Sequence, residues 1–173
     1  MIKVRYHSDA LCYTLTINDL GIGDVSRFPI KFDTGATSTV IGIYTLFNRI
    51  SPNSIQKLKD GFEKAGIQPR DFSSATGHQL LGYPCKVHGV DVSGHILEDF
   101  YFHLVLDTKR KLSLLGNDFI SCCNFKHEID SNILIEDYDL KSYSEKFCNT
   151  TCFDVNELHS PIRAVLLDVI TNE

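Results

Sequence analysis

Apolar and polar positions in this chain alternate over short stretches more often than they follow a helical period. Tyr13-Thr14-Leu15-Thr16-Ile17 alternates and contains β-branched residues, the pattern of a half-buried strand. Asn18 to Asp24 contains two glycines and reads as a turn, from which Val25 to Phe32 returns as a second strand. Tyr83 to Val92 and Ile96 to Leu106 read as further strands, and Gly89 and Gly94 suggest a hairpin between them. Phe100, Phe102, Leu104 and Leu106 interleave with Tyr101, His103 and Val105, so both faces of that strand are covered. A shorter strand is expected at Leu112 to Leu115, and a last hairpin at Glu128 to Ile135 with its turn at Asp130 to Asn132.

Helical signals are fewer. Val40 and Ile41 open a buried segment, and Ile43 to Ile50 suits a short helix. Ser51-Pro52 is a strong start signal, with serine as the cap and proline in the first turn. Ile55, Leu58, Phe62 and Ala65 then fall near helical spacing, and Gly66 suits the end. Another short helix is expected at Phe119 to Phe125. Ser160-Pro161 repeats the start signal ahead of a stripe of Ile162, Val165, Leu166, Val169 and Ile170, which must be buried on the chain itself or on a partner. The pattern therefore predicts a mainly β domain over residues 1–140 with a few short helices, and a partly helical C-terminal extension over 141–173.

Bulk properties narrow the picture only a little. The chain has 173 residues and is 43% hydrophobic, enough for one domain with its own core. Its net charge is -5, and no basic stripe stands out along the sequence, which argues against nucleic acid as a partner. Lys57, Lys59 and Lys64 are interspersed with Asp60 and Glu63 as on a solvated helix face, and Lys109-Arg110-Lys111 reads as a turn. No apolar run has the length of a signal peptide core or a bilayer span, so a cytoplasmic protein without a membrane partner is expected. The six cysteines are then reduced thiols. Cys148 and Cys152 have a spacing that zinc can use, but the adjacent Cys122 and Cys123 make a poor second pair, so no metal site is expected. Asn149-Thr150-Thr151 matches a glycosylation sequon and should carry no sugar in that compartment.

One stretch carries chemistry. The apolar run ending at Phe32 stops abruptly at Asp33, followed by Thr34, Gly35 and Ala36. A glycine permits a tight turn and close backbone approach. The carboxylate is thereby presented from a rigid turn, where it can serve as a general acid or base. Read alone, Asp-Thr-Gly is also compatible with a plain turn in which Asp33 caps backbone amides.

Asp33-Thr34-Gly35-Ala36-Thr37-Ser38-Thr39-Val40-Ile41 resembles the active-site turn of retropepsin-like aspartic proteases, and Leu114-Leu115-Gly116-Asn117-Asp118 resembles the second element of that family. The likeness covers roughly residues 11 to 138, the middle in pattern only. It implies the closed β-barrel of the acid-protease fold, in which the strand carrying Leu115, Gly116, Asn117 and Asp118 passes close to the aspartate turn. Asn117 is a departure, because many members carry arginine there and pair it with the following acid. The resemblance also implies an endopeptidase with Asp33 as the catalytic group, supported by Thr34, Gly35 and Ala36, with no cofactor. A flap over the substrate is expected in the segment from Ile67 to Asp91, around Ala75, Thr76 and Gly77.

Aspartic proteolysis uses two carboxylates that share a proton. Only one Asp-Thr-Gly occurs, since Asp107-Thr108 and Asp130-Ser131 lack the glycine. A homodimer with Asp33 of each subunit on the two-fold axis is therefore expected, acting on a protein or peptide substrate. The rival readings are a non-catalytic peptide-binding or dimerisation module on the same fold, a turn without chemistry, and a metal-dependent hydrolase. The seven histidines show no paired helical spacing that would favour the last.

Overall fold

The computed structural model describes residues 1–73, 77–157 and 161–171. Its elements in chain order are β1 (Ile2–His7), β2 (Cys12–Asp19), β3 (Phe28–Phe32), β4 (Val40–Gly42), α1 (Ile43–Leu46) and α2 (Pro52–Lys64). Next come β5 (Arg70–Ser73), β6 (Gln79–Val92), β7 (His95–Val105), β8 (Ser113–Leu115), α3 (Asn117–Ile120) and β9 (Cys123–His127). The chain ends with β10 (Ile133–Tyr138), α4 (Leu140–Glu145), β11 (Phe153–Asp154) and α5 (Pro161–Thr171).

Six of these strands close on themselves. Walking around the ring, β2 pairs β3, β3 pairs β8, β8 pairs β4, β4 pairs β7, β7 pairs β6, and β6 returns to β2. The molecule is thus mainly β, with a closed six-stranded barrel and a few short helices, the class expected from the pattern. Leu15 and Ile17 of β2, Ile30 of β3, Ile41 of β4, Val87 and Val90 of β6, and Phe100, Phe102 and Leu104 of β7 are all buried in one continuous core. Two features were invisible in the pattern. The N-terminal residues form β1, which pairs both β2 and β10 and carries the β10–β9 hairpin onto the barrel. The expected helix at Phe119 to Phe125 is a single turn, α3, and the chain then extends as β9 to reach β10.

Local chemistry explains the elements that match. The Ser51 side chain accepts the Ser54 amide at 3.1 Å and Pro52 occupies the first turn, so α2 begins where the sequence placed it. Gly66 at φ +73 ends it. Ser93 and Gly94 both have positive φ and join β6 to β7, as a two-residue hairpin with matching twist requires. The helix α2 buries Leu58 and Phe62, with Phe62 stacked on Tyr83 at 4.5 Å and edge-on to Phe153.

The residues after Tyr138 join the same core. Tyr143 of α4 is fully buried, and its hydroxyl accepts the Tyr101 amide at 2.8 Å. Phe147 stacks on Tyr101 at 4.1 Å, and Phe119 packs edge-on to Tyr143 at 5.2 Å. β11 adds a parallel pairing to β6, and Ile162 and Leu166 of α5 are completely buried, with Ile162 against Gly61 of α2. Ile162, Val165 and Leu166 of the predicted stripe are therefore covered by the chain itself. Among the described residues no helix is long and apolar enough to cross a membrane.

The point that brings the two motifs together is Gly116. Its φ of -99° is accessible to any residue, so conformation does not demand glycine. Space does: a Cβ there would lie 2.4 Å from the carbonyl carbon of Ser38 and 2.5 Å from its oxygen. Both are backbone atoms and cannot swing aside. Gly116→Ala should therefore destabilise the fold by about 3 kcal/mol. A urea titration that leaves the midpoint of Gly116→Ala at the wild-type value would show that the two segments do not pack this closely.

Candidate active site

The turn after β3 is built by hydrogen bonds to the segment after β8. β3 and β8 run parallel, with Lys31 opposite Leu114 and Phe32 opposite Leu115. At the end of this pairing the Asp33 amide donates to the Leu115 carbonyl at 3.0 Å, and the Ala36 amide closes the turn on the Asp33 carbonyl at 3.1 Å. Beyond Gly116 the Asn117 amide donates to the Ala36 carbonyl at 2.8 Å, and the Asp118 amide to the Thr37 carbonyl at 3.1 Å. The Asn117 side chain donates to the Thr34 carbonyl at 2.5 Å. Asp33, Thr34, Gly35 and Ala36 are thus brought together with Leu115, Gly116, Asn117 and Asp118 in one cross-braced unit.

Asp33 sits partly exposed at the surface of this unit. Its Oδ1 accepts the Gly35 amide at 3.0 Å, and its Oδ2 lies 3.8 Å from Nζ of Lys31. A Cβ on residue 35 would approach Oδ1 to 3.2 Å, so glycine there leaves the carboxylate room to accept the amide. The carboxylate is therefore oriented by a backbone donor on one oxygen and an ammonium near the other, with 27% of the side chain exposed. Thr34 is exposed.

Asp118 answers the question raised by Asn117. Asn117 makes no contact with the Asp118 carboxylate. Instead that group accepts three donors: the Thr39 amide at 2.9 Å, the Thr39 hydroxyl at 2.7 Å and the Phe119 amide at 2.8 Å. Burial pushes the Asp118 carboxyl above its ordinary range, and these donors together with the Lys146 ammonium pull it back. Thr39 also uses its hydroxyl oxygen to accept the Gly116 amide at 3.1 Å. Lys146, from the segment after α4, donates to the Asp118 carbonyl at 3.1 Å and to the Ser121 hydroxyl. Sequence reading missed Thr39 and Lys146. The run Thr37-Ser38-Thr39 ahead of a buried strand is the one local hint for the threonine, and nothing local identifies the lysine.

Next to the turn lies a cleft of about 420 Å³ lined by Thr37, Ser38, Arg70, His103 and Lys146, among others. Arg70 opens the antiparallel β5–β6 hairpin, in which Arg70 to Ser73 pair with Gly82 to Gln79. This hairpin falls within the segment from Ile67 to Asp91. Of the residues singled out there, Ala75 and Thr76 lie outside the described residues, and Gly77 has φ +82 in the turn. No group of three or more histidine, cysteine, aspartate or glutamate side chains fit to hold a metal occurs among the described residues.

His103 of β7 is buried beneath the cleft, edge-on to Phe72 of the hairpin at 4.9 Å. Its Nδ1 lies 3.3 Å from the Thr39 carbonyl, and its Nε2 has no hydrogen-bond partner among the described residues. Burial lowers its pKa to about 4, the Thr39 carbonyl opposes the shift, and Arg70 adds to it. A depressed histidine pKa favours the neutral form in the folded state, so its contribution is complete above the unfolded value of 6.5 and is lost as pH falls from 6.5 towards 4. The fold should accordingly be about 2 kcal/mol less stable at pH 5 than at pH 7.5 through this residue alone. Denaturant titrations at both pH values should show that difference in the wild type and a largely flattened one in His103→Phe; equal slopes in the two proteins would contradict it.

No protein-family model matches the chain, and no curated protein sequence matches it. Among solved structures, the chain is similar to the crystal structure of a retropepsin-like aspartic protease from Rickettsia conorii. The identity is 17% and the TM-score 0.43, with 77% of this chain and 97% of that chain covered.

Proposed function

We propose that the chain is an aspartic endopeptidase that works as a homodimer, with Asp33 of each subunit forming the catalytic pair. The observation that carries this reading is the setting of Asp33. It is the acid of the single Asp-Thr-Gly, it is partly exposed to solvent, its Oδ1 is aligned by the Gly35 amide, and its turn is braced by the second motif. A turn serving only as a connection has no need of that bracing, and a peptide-binding module has no need of a partly exposed carboxylate.

In this reading two Asp33 carboxyls meet and cannot both ionise readily, so one proton is shared between them and the apparent pKa values belong to the pair. The ionised member takes a proton from a water molecule, which attacks the scissile carbonyl. The protonated member donates to the carbonyl oxygen as the tetrahedral intermediate forms. The hydroxyl of the exposed Thr34 reaches across to the partner turn. The β5–β6 hairpin lies over an extended peptide and excludes water. Exposed aromatic surface beside the turn supports the dimer. Phe125 is 42% exposed and packs edge-on to Phe32, the residue before Asp33, while Tyr6 is equally exposed and packs on Tyr13, which pairs with Phe32.

Incubation with a diverse peptide mixture from acid to neutral pH, read by mass spectrometry, tests the reading. Asp33→Asn should keep the Gly35 hydrogen bond and the melting temperature, yet lose cleavage by at least about a hundredfold. Equal cleavage by both proteins would remove Asp33 from the mechanism. Specific activity should also fall as the wild type is diluted through its dimer dissociation constant, whereas an activity constant far below that concentration would count against a shared site.

A further inference from the structure

The outer face of the barrel opposite the core carries a concentration of positive charge that no run of sequence displays. In β1, Ile2 and Val4 are buried while Lys3, Arg5 and His7 point outward; in β2, Leu15 and Ile17 are buried while Thr14 and Thr16 point outward. Strand pairing sets Arg5 opposite Thr14 on the neighbouring strand. Arg27, just before β3, joins them at the rim. Together these side chains line a concave pocket of about 210 Å³. The β6–β7 turn closes one side of it, where the Ser93 amide donates to the Thr16 carbonyl at 2.7 Å and the Thr16 amide to the Ser93 hydroxyl at 3.1 Å.

The composition of the lining selects a ligand. No acidic residue lines the pocket, although the chain as a whole has a net charge of -5. Lys3 is already paired with Glu128 and Asp130 at 3.1 and 3.2 Å. Arg5 and Arg27 have no ion pair among the described residues. Two arginines without an ion pair among the described residues therefore line the same small space as two threonines. Guanidinium forks and hydroxyls are the donors that a group with three charged oxygens takes up best. The lining also contains no phenylalanine, tyrosine or tryptophan to serve as a stacking platform for bases, and no apolar residue to enter a lipid layer. We infer that this pocket is a binding site for a phosphate monoester group, carried by a small metabolite or by a phosphorylated side chain of a protein partner. The site lies outside the Asp33 turn and does not depend on the proteolytic reading.

The test is an NMR titration of the full chain with inorganic phosphate, at constant ionic strength with chloride as the control. Saturable shifts should appear at the amides of Arg5, Thr14 and Thr16 and not at Asp33 or His103. The exposed-residue variant Arg5→Met with Arg27→Met should weaken binding by about tenfold or more. Arg5→Lys with Arg27→Lys, which keeps the charge but loses the fork, should give an intermediate loss and guards against a folding defect in the first variant. A phosphoserine peptide that binds more tightly than inorganic phosphate, with its unphosphorylated form silent, would assign the group to a protein partner; equal binding would assign it to a small molecule. Shifts that do not saturate, that spread over the surface, or that match those produced by chloride would overturn the inference. So would phosphate binding of undiminished strength in the methionine variant, or binding of duplex DNA or anionic vesicles at these residues without phosphate binding.

Discussion

The structure depends on two stretches of backbone passing at a distance that only glycine allows. Gly116 crosses Ser38 so closely that a methyl group would overlap main-chain atoms, and everything beside the crossing uses that proximity. The Asp33 and Ala36 turn bonds to Leu115 and Asn117, and the Thr39 hydroxyl receives the Gly116 amide while donating to Asp118. Buried polar groups in such a network are costly unless each is satisfied, and the Asp118 carboxylate is satisfied three times over. Asp33 inherits its orientation from this scaffold. Its own hydrogen bond to Gly35 is short-range, but the turn that presents it is held from below by residues about eighty positions away.

The C-terminal residues change what the scaffold rests on. Lys146 reaches the carbonyl of Asp118, and Tyr143 and Phe147 close an aromatic cluster with Tyr101 and Phe119 directly under the second motif. Aromatic side chains of this size account for much of the apolar area a small core can bury. Where a charged arginine at position 117 would tie an acid down from within the motif, this chain has a neutral Asn117 bonded to Thr34 and a lysine supplied from the tail. The tail is thus part of the support of the Asp33 turn.

Two kinds of information were unequally legible in the sequence. Strands, the α2 cap and the two hairpin turns were readable because they follow from contacts within a few residues: alternation across a pleat, a serine oxygen meeting an amide three residues on, and glycines free to take positive φ. The Asp33 turn was readable for the same reason, whereas the Gly116 segment was picked out only by its resemblance to a family motif. β1 was missed because its outward side is basic and its inward side contributes only two fully buried residues, too few for a period to stand out. α3 proved shorter than its apolar run suggested, since pairing with β10 draws the chain into β9 after one turn.

By itself, then, the sequence determined a β-rich class, the place of Asp33 at the end of a strand, and the two short motifs, because each is encoded by neighbours in the chain. The tertiary structure alone decided that Thr39 and Lys146 satisfy and support Asp118, that His103 is buried beneath the cleft, and that Ile162 and Leu166 of α5 are buried on the chain itself. It alone gathered Arg5, Thr14, Thr16 and Arg27 into one pocket. The physical reason is common to all of these. Each depends on which strands become neighbours when the barrel closes, and that adjacency is set by packing between residues tens of positions apart, which no local pattern records.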